Sequence, residues 1–121
     1  MVKVLFDTNI LIDYLNGLAQ ARDELALYDD RAISIITWME VLIGATPQTE
    51  AATRAFLSSF TLLALDARIA ERAVEVRQRL KVKLPDAIIK ASAEVEGRLL
   101  VTRNVKIFDE REPGVRLPYQ L

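Results

Sequence analysis

Short apolar runs alternate with amphipathic stretches along this chain. Five runs rich in aliphatic and β-branched residues are typical of buried strands. They cover residues 2–6, 32–36, 62–65, 98–101 and 115–117. Between them, apolar residues recur at helical spacing, which predicts six helices. These helices begin at residues 8, 19, 37, 48, 67 and 84, and they end near residues 16, 28, 45, 60, 80 and 97.

The alternation of strands and helices predicts an α/β fold. Strands without a polar face are typical of a parallel sheet that helices cover on both sides. We therefore expect a parallel sheet of four to five strands with helices on both faces. Pro118 follows the fifth run and cannot donate to a ladder, so that strand is expected at an edge. A chain of 121 residues has the size of one domain, and we expect a single domain over residues 1–121.

The composition excludes several classes of protein. Hydrophobic residues make up 51% of the chain, which excludes a disordered or low-complexity protein. The 16 basic and 17 acidic residues leave a net charge of −1, which excludes a strongly basic nucleic-acid coat but not a local basic groove. The chain has no cysteine and no histidine, so it lacks thiol nucleophiles, zinc ribbons and Ser–His–Asp triads. A metal that it binds would be a hard ion held by oxygen ligands.

The amino-terminal sequence does not have the form of a secretory signal. The apolar run that follows Lys3 ends already at Asp7. No uncharged run approaches the roughly 18 residues that a membrane span needs. We therefore expect a soluble cytoplasmic protein without a membrane partner.

Polar side chains fall where the expected strands end. Asp7 follows the first strand, Glu40 lies about one helical turn after the second, and Asp86 opens the helix before the fourth, which Thr102 and Asn104 follow. The carboxyl ends of parallel strands share one edge, where ligands bind. Three carboxylates in one crevice would repel each other, and one or two divalent cations relieve that repulsion. Carboxylates with water suit Mg²⁺ or Mn²⁺, so the pattern indicates phosphodiester hydrolysis.

Each of these residues also has a purely structural interpretation. Asp7 and Thr102 are ordinary helix caps. Thr37 and Glu40 have the spacing of a capping box. Asp86 stands beside Pro85 at a helix start, where an acid interacts favourably with the helix dipole. Their occurrence at successive strand ends is what favours a common site.

Four segments resemble the motifs of one nuclease family. Residues 7–13 (DTNILID), 34–44 (SIITWMEVLIG), 84–93 (LPDAIIKASA) and 99–104 (LLVTRN), with Phe108 beyond, resemble the successive motifs of PIN-domain nucleases. Their order and spacing are similar to those of the small VapC-type toxins of bacterial toxin–antitoxin pairs. The likeness runs the length of the chain, and four motifs in order are far more specific than any one alone.

The resemblance implies a Mg²⁺- or Mn²⁺-dependent endoribonuclease on a five-stranded parallel sheet, a homodimer, and a VapB-like antitoxin that blocks the site. By position, Asp7 and Asp86 resemble direct metal ligands, and Glu40 resembles a ligand or a water-positioning acid. Thr102 resembles the family's hydroxyl beside the fourth acidic position. Asn104 departs from the aspartate common there, which puts a second metal ion in doubt. In the implied mechanism, a water activated by the metal attacks the phosphorus in line with the leaving oxygen.

Five charged residues near the motifs have open roles. Arg103 is either a phosphate contact or a surface arginine. Lys83 and Lys90 either steer RNA by charge or are solvated helix charges. Asp13 approaches the rim of the site or is a solvated or capping acid. Asp109 lies beyond Phe108 and is not expected to replace the missing fourth acid.

Other functions remain open from the sequence. A phospho-receiver domain would use Asp66, which follows the third strand, but Asp7 is the single acid after the first strand and Lys106 is not in the usual setting. A degenerate PIN fold that only binds its partners is a second alternative. A haloacid-dehalogenase-type phosphatase fits less well, because Asn9 stands where such enzymes have a second aspartate.

Two amphipathic stretches are candidate surfaces for a dimer or an antitoxin. They cover residues 10–18 and 48–60. Both are equally well explained as helices that face the core.

Overall fold

A computed structural model describes residues 2–109 and 111–121. The strands are β1 (Lys3–Phe6), β2 (Asp30–Ser34), β3 (Thr61–Leu63), β4 (Leu99–Val101) and β5 (Val115–Arg116). The helices are α1 (Thr8–Leu15), α2 (Ala19–Ala26), α3 (Ile35–Ile43), α4 (Glu50–Leu57), α5 (Ala67–Leu80) and α6 (Leu84–Val95). Among these helices, none combines the length and the hydrophobicity that a membrane crossing needs.

The five strands form one sheet in the order β3-β2-β1-β4-β5, and every pair is parallel. The expected α/β fold and its parallel sheet are confirmed, and β5 lies at an edge as Pro118 predicts. Phe6 is in register with Val101, so β1 and β4 end side by side.

Helices cover both faces of the sheet because successive residues of its central strands point in opposite directions. On one face, Val4 and Phe6 of β1 pack with residues of α1, α2 and α4. On the other face, Leu5 packs with Ile89 of α6 and with Phe108. Both faces therefore need apolar side chains, which explains the continuous apolar runs of the sequence.

The second strand lies two residues earlier than the sequence indicates. Asp30, expected in a turn, pairs within β2, where its carboxylate accepts a 2.8 Å hydrogen bond from the Arg98 guanidinium. The Ser34 hydroxyl then accepts a 3.1 Å bond from the Ile36 amide and caps α3. The capping-box interpretation is therefore wrong, because Ser34 is the N-cap and Thr37 lies inside the helix.

The expected helix boundaries hold best where a cap fixes them. Asp66 caps α5 by accepting a 3.0 Å hydrogen bond from the Ile69 amide. Gly97 follows α6 with a φ of 63°, as a C′ glycine does. The helix expected to begin at residue 48 begins at Glu50, because Thr46 and Thr49 bond to each other in a turn before it.

The strand order excludes the phospho-receiver alternative. Receiver domains have the order 2-1-3-4-5, in which the third strand adjoins the first. Here β3 is an edge strand, separated from β1 by β2. Asp66 therefore lies away from the end of β1, and its carboxylate caps α5 and pairs with Arg68.

Lys81 offers a test of the local backbone. It ends α5 in the left-handed conformation, with a φ of 57°, which costs a residue with a Cβ atom about 1 kcal/mol. We expect Lys81→Gly to raise the free energy of unfolding by roughly 0.5–1 kcal/mol in urea denaturation. Lys81→Ala removes the side chain but keeps the Cβ atom, so it should give no such gain. A gain of equal size in both variants would contradict this explanation.

Candidate functional site

The centre of the site lies where the chain changes direction across the sheet. From β1 the chain moves outward through β2 and β3, and it then returns to the other side of β1 as β4. In open α/β sheets, ligands bind at the carboxyl ends of the strands beside such a switch point. Here the Asp7 amide donates a 2.9 Å hydrogen bond to the Val101 carbonyl, which extends the ladder one residue past β1.

Asp7 is buried and is the N-cap of α1, as its structural interpretation predicts. Its Oδ1 atom accepts a 2.7 Å hydrogen bond from the Thr8 amide. Its Oδ2 atom accepts bonds from the Thr102 hydroxyl at 2.8 Å and from Asn9 Nδ2 at 3.4 Å. The carboxylate is therefore held by donors from both sides of the switch point.

Thr102 uses its whole hydrogen-bonding capacity within the protein. Its hydroxyl donates to Asp7, and it accepts hydrogen bonds from Asn9 Nδ2 at 3.2 Å and from the main-chain amide of Asn104 at 3.1 Å. A hydroxyl has one donor and two acceptor positions, so all three are occupied. Thr102 is fully buried, and its hydroxyl holds Asp7 and the loop after β4 in one arrangement.

Glu40 lies exposed on α3 and is connected to the same centre through Thr8. The Thr8 hydroxyl donates a 2.6 Å hydrogen bond to Glu40 Oε1 and lies 2.9 Å from the Thr37 hydroxyl. Because the single hydroxyl proton of Thr8 goes to the carboxylate, Thr37 is the donor in the second contact. Thr8 thus links the Asp7 and Glu40 carboxylates, one through its amide and the other through its hydroxyl.

Asp86 lies half-buried in the first turn of α6, directly after Pro85. Burial raises the pKa of its carboxyl group, and the negative charge of Glu40 raises it further, while Lys83 opposes the shift. No protein donor holds the Asp86 carboxylate among the residues that the structure describes. Its oxygens therefore remain available to a ligand.

Burial raises the pKa of the Asp7 carboxyl group to about 6. The hydrogen bonds from Thr102 and the Thr8 amide lower the pKa, but the charges of Asp86 and Glu40 add to the increase. A positive charge at this position would offset the repulsion among the three carboxylates. Their mutual repulsion is the electrostatic signature of a site that suits a cation.

The three acids have the chemistry of a hard-cation site, but their side chains do not form a ready cluster. Within residues 2–109 and 111–121, no three acidic side chains lie close enough together to hold one metal ion. Asp7, Glu40 and Asp86 supply only carboxylate oxygens, the ligands that suit Mg²⁺ and Mn²⁺. Asn104 lies two residues past Thr102, and its main-chain carbonyl accepts bonds from Ile107 and Phe108.

Arg103 and Asp13 have a role that neither sequence interpretation includes. Asp13 is 5% exposed, so it is not a solvated acid, and it does not cap a helix. Its carboxylate accepts two hydrogen bonds from the Arg103 guanidinium, one of them 3.0 Å long, and a third from the Tyr119 hydroxyl at 2.8 Å. The pair ties the loop after β4 and the carboxyl-terminal segment to α1.

Lys90 is neither a solvated charge nor an RNA-steering residue, because it is 2% exposed. Its ammonium group donates to Glu94 at 2.6 Å and to the Pro113 carbonyl at 3.0 Å. Asp109 is exposed and bonds locally to Arg111, in keeping with the expectation that it does not replace the fourth acid. Lys83 is exposed and precedes α6, where its charge acts on Asp86.

Sequence reasoning did not include three residues in the site. Asn9, Thr8 and Thr37 carry the hydrogen bonds that connect Asp7, Glu40 and Thr102. Thr37 is fully buried, although it was predicted to take part in a helix cap. The sequence did contain a signal, because these small polar residues lie close to the ends of strands, where side chains meet at one edge of the sheet. Only the fold shows which of them form hydrogen bonds with each other.

Comparison with known proteins agrees with the motifs. The family model for the PIN domain matches residues 4–112. Ribonuclease VapC10 of Mycobacterium tuberculosis (strain H37Rv) is 30% identical over 126 residues, and the match covers 95% of each chain.

Solved structures show the same fold. A toxin–antitoxin complex from Klebsiella pneumoniae contains a chain that is 47% identical with a TM-score of 0.94, and the match covers 98% of this chain and 100% of that one. A DNA-bound VapBC from Salmonella typhimurium is 30% identical with a TM-score of 0.79, covering 96% of each chain. The chain described here therefore belongs to the PIN-domain family and is a homologue of VapC ribonucleases.

Proposed function

We propose that this protein is an endoribonuclease that depends on Mg²⁺ or Mn²⁺ and is the toxin of a VapBC-type toxin–antitoxin pair. The observation that carries the proposal is the buried Asp7 carboxylate at the β1/β4 switch point, with Glu40 and Asp86 near enough to raise its pKa. The similarity to VapC10 and to chains of toxin–antitoxin complexes supports the same function. A PIN fold that only binds its partners remains the competing function.

In this proposal, Asp7, Asp86 and Glu40 would hold the cation. A bound ion would supply Lewis-acid chemistry, because it would acidify water and offset the charge of a phosphodiester. Thr102 and the Thr8 amide hold the Asp7 oxygens in place. Thr8 does the same for Glu40.

The reaction has no imidazole or thiol to use, since the chain lacks both residue types. In this proposal, the proton of the attacking water passes to a carboxylate and from there to bulk solvent. Glu40 is exposed and Asp7 is buried, so Glu40 is the better placed of the two to exchange that proton with solvent. Asn104 offers a carbonyl oxygen without charge, which would weaken a second cation position beside it.

An apolar groove beside Glu40 supports an antitoxin as partner. The groove has a volume of about 410 Å³ and lies between α1, α3 and α4, with Glu40 on its rim. Ile12 and Leu15 in its wall are 41% and 43% exposed, although both are large aliphatic residues. We propose that an apolar segment of the VapB-like antitoxin covers this groove and thereby approaches the catalytic acids.

The proposed homodimer has its own support in exposed apolar side chains away from the groove. Val74 on α5 is 53% exposed, and Leu84 at the start of α6 is 50% exposed. Burying such side chains against a second copy removes apolar surface from water.

The carboxylates are tested by charge-removing substitutions. We expect Asp7→Asn and Asp86→Asn to fold as the wild type does and to reduce Mg²⁺-dependent RNA cleavage roughly 100-fold or more, as removal of a group that acts in the transition state does. Cleavage is measured on labelled RNA, and folding by circular dichroism.

Asp66→Asn is the matched control, because Asp66 is a helix cap outside the site and asparagine caps about as well. It should cleave RNA at the wild-type rate. Wild-type cleavage by Asp7→Asn or Asp86→Asn would refute the mechanism. If calorimetry finds no Mg²⁺ or Mn²⁺ binding to the wild type, that result would favour the alternative of a PIN fold that binds its partners without cleaving RNA.

The raised pKa of Asp7 predicts that the metal-free protein loses folding stability as the pH rises. The native carboxyl group, with a pKa of about 6, holds its proton more tightly than the unfolded chain does. The protein therefore loses stability as the pH rises above the ordinary pKa of an aspartate, and the loss ends once the native group has ionised, above about pH 6. As the pH rises from about 4 to about 7, the free energy of unfolding of Asp7→Asn should increase by about 2 kcal/mol relative to that of the wild type.

Urea denaturation in the presence of a chelator measures this difference, and comparing two pH values cancels any change in hydrogen bonding. Adding Mg²⁺ at neutral pH should stabilise the wild type more than the variant. A difference that does not change with pH would show that Asp7 ionises normally in the fold.

The groove is tested by placing a charge in it. Ile12→Glu with Leu15→Glu should abolish copurification of the small partner encoded in the same operon, because a carboxylate is costly to bury in an apolar contact. Leu27→Glu is the control, since Leu27 is 64% exposed and lies outside the groove. Mass analysis identifies the partner. Equal recovery with both variants would exclude the groove as the binding surface.

A further inference from the structure

A second cavity lies on the opposite side of the candidate site from the apolar groove. It has a volume of about 450 Å³, within the range of about 300–1,000 Å³ that is typical of sites for small molecules. The loop after β4 forms one wall through Arg103, Asn104 and Lys106, and the carboxyl-terminal segment forms the other through Gln120.

The cavity adjoins the catalytic centre through Asn9. This residue lines the cavity, and its Nδ2 atom donates to Asp7 at 3.4 Å and to Thr102 at 3.2 Å. Its Oδ1 atom accepts a 3.3 Å bond from the Arg103 amide. One side chain therefore separates the cavity from the Asp7 carboxylate, so a ligand in the cavity would lie next to the reacting phosphate.

Both walls are held in place before any ligand arrives. The Asp13 carboxylate binds Arg103 of one wall and Tyr119, which precedes Gln120 of the other wall. The fully buried ring of Phe108 anchors the far end of the loop in the core. A preformed cavity lowers the entropy cost of ordering a ligand.

The lining has the chemistry of a nucleotide site. Its charged side chains are both positive: Arg103, which is paired with Asp13, and Lys106. Within the described residues, no hydrogen bond engages the side-chain amides of Asn104 and Gln120, and Lys106 forms no ion pair. Amides pair with the edges of bases, and cations contact phosphates.

We propose that this cavity is a subsite for one nucleotide of the RNA, directly beside the cleaved bond, and that Gln120 determines which base it accepts. The assignment rests on the proposed ribonuclease function. Lys106 contacts the phosphate of that nucleotide and contributes affinity without base preference. Arg103, held by Asp13, is a positioning residue that keeps the cavity wall in place.

The test is cleavage of an RNA library with randomised nucleotides, followed by sequencing of the ends. We expect the wild type to prefer one base at a position adjoining the cut, and Gln120→Ala to weaken that preference roughly ten-fold. Gln120 is exposed, so the substitution should leave the fold intact. Gln78→Ala, an exposed residue of α5 that does not line the cavity, is the matched control and should keep the wild-type preference.

Lys106→Ala should raise KM several-fold, keep the base preference, and reduce the slope of log affinity against log salt by about 1. Lys81→Ala is the control of the same type outside the cavity. An unchanged cleavage pattern in Gln120→Ala would overturn the subsite while leaving the ribonuclease function intact.

Binding is measured separately, so that the two proposals can fail independently. A fluorescent RNA hexamer of mixed sequence is titrated into the Asp7→Asn variant, with and without Gln120→Ala or Lys106→Ala. Higher Kd values in both double variants would support the subsite even if the wild type cleaved no RNA. Unchanged Kd values would overturn it, and so would an effect on antitoxin binding alone, which would assign the cavity to a protein partner.

Discussion

The hydrogen bond between the Thr102 hydroxyl and the Asp7 carboxylate joins the carboxyl ends of β1 and β4 at the centre of the sheet. A buried carboxylate is tolerated only when donors replace the water that it has lost. Besides Thr102, the Thr8 amide and the Asn9 side chain donate to the Asp7 carboxylate. The Asn9 side chain and the main-chain amide of Asn104 also donate to the Thr102 hydroxyl, so its acceptor positions are filled. The paths of α1 and of the loop after β4 both depend on this arrangement.

This arrangement is not the most stable one available to the fold. Burial and the neighbouring acids raise the pKa of Asp7, so its charged form costs more free energy in the fold than in the unfolded chain. Other buried acids lie beside a cation of the protein itself, since Asp13 pairs with Arg103 and Glu24 pairs with Arg116. Asp7, Glu40 and Asp86 have no such partner among the described residues. Natural proteins keep destabilising charges chiefly at functional sites, and this contrast separates the acids of the candidate site from the structural ones.

The two cavities on either side of the centre differ in chemistry. The groove between α1, α3 and α4 is largely apolar and reaches the site at Glu40. The cavity behind Asn9 is more polar and reaches it at Asp7. In the proposed function, a protein segment covers the first and RNA enters the second, so the antitoxin and the substrate approach the same acids from different directions. The Asp13–Arg103–Tyr119 contacts stabilise the side of the site where we propose that the substrate binds.

The sequence by itself determined the fold class, the parallel sheet and the family, because apolar periodicity and motif order are local properties of the chain. It also identified Asp7, Glu40 and Asp86 as candidates, since residues that follow parallel strands share an edge. The tertiary structure decided the partners of the charged residues. Lys90 and Asp13 are buried pairs and not solvated charges, because Glu94 lies beside Lys90 on α6 while Arg103 comes from 90 residues away. Thr37 was predicted as a cap and instead bonds to Thr8, since the capping role falls to Ser34, three residues earlier in the chain. Such pairings depend on strand order and side-chain direction, which a hydrophobic pattern does not contain.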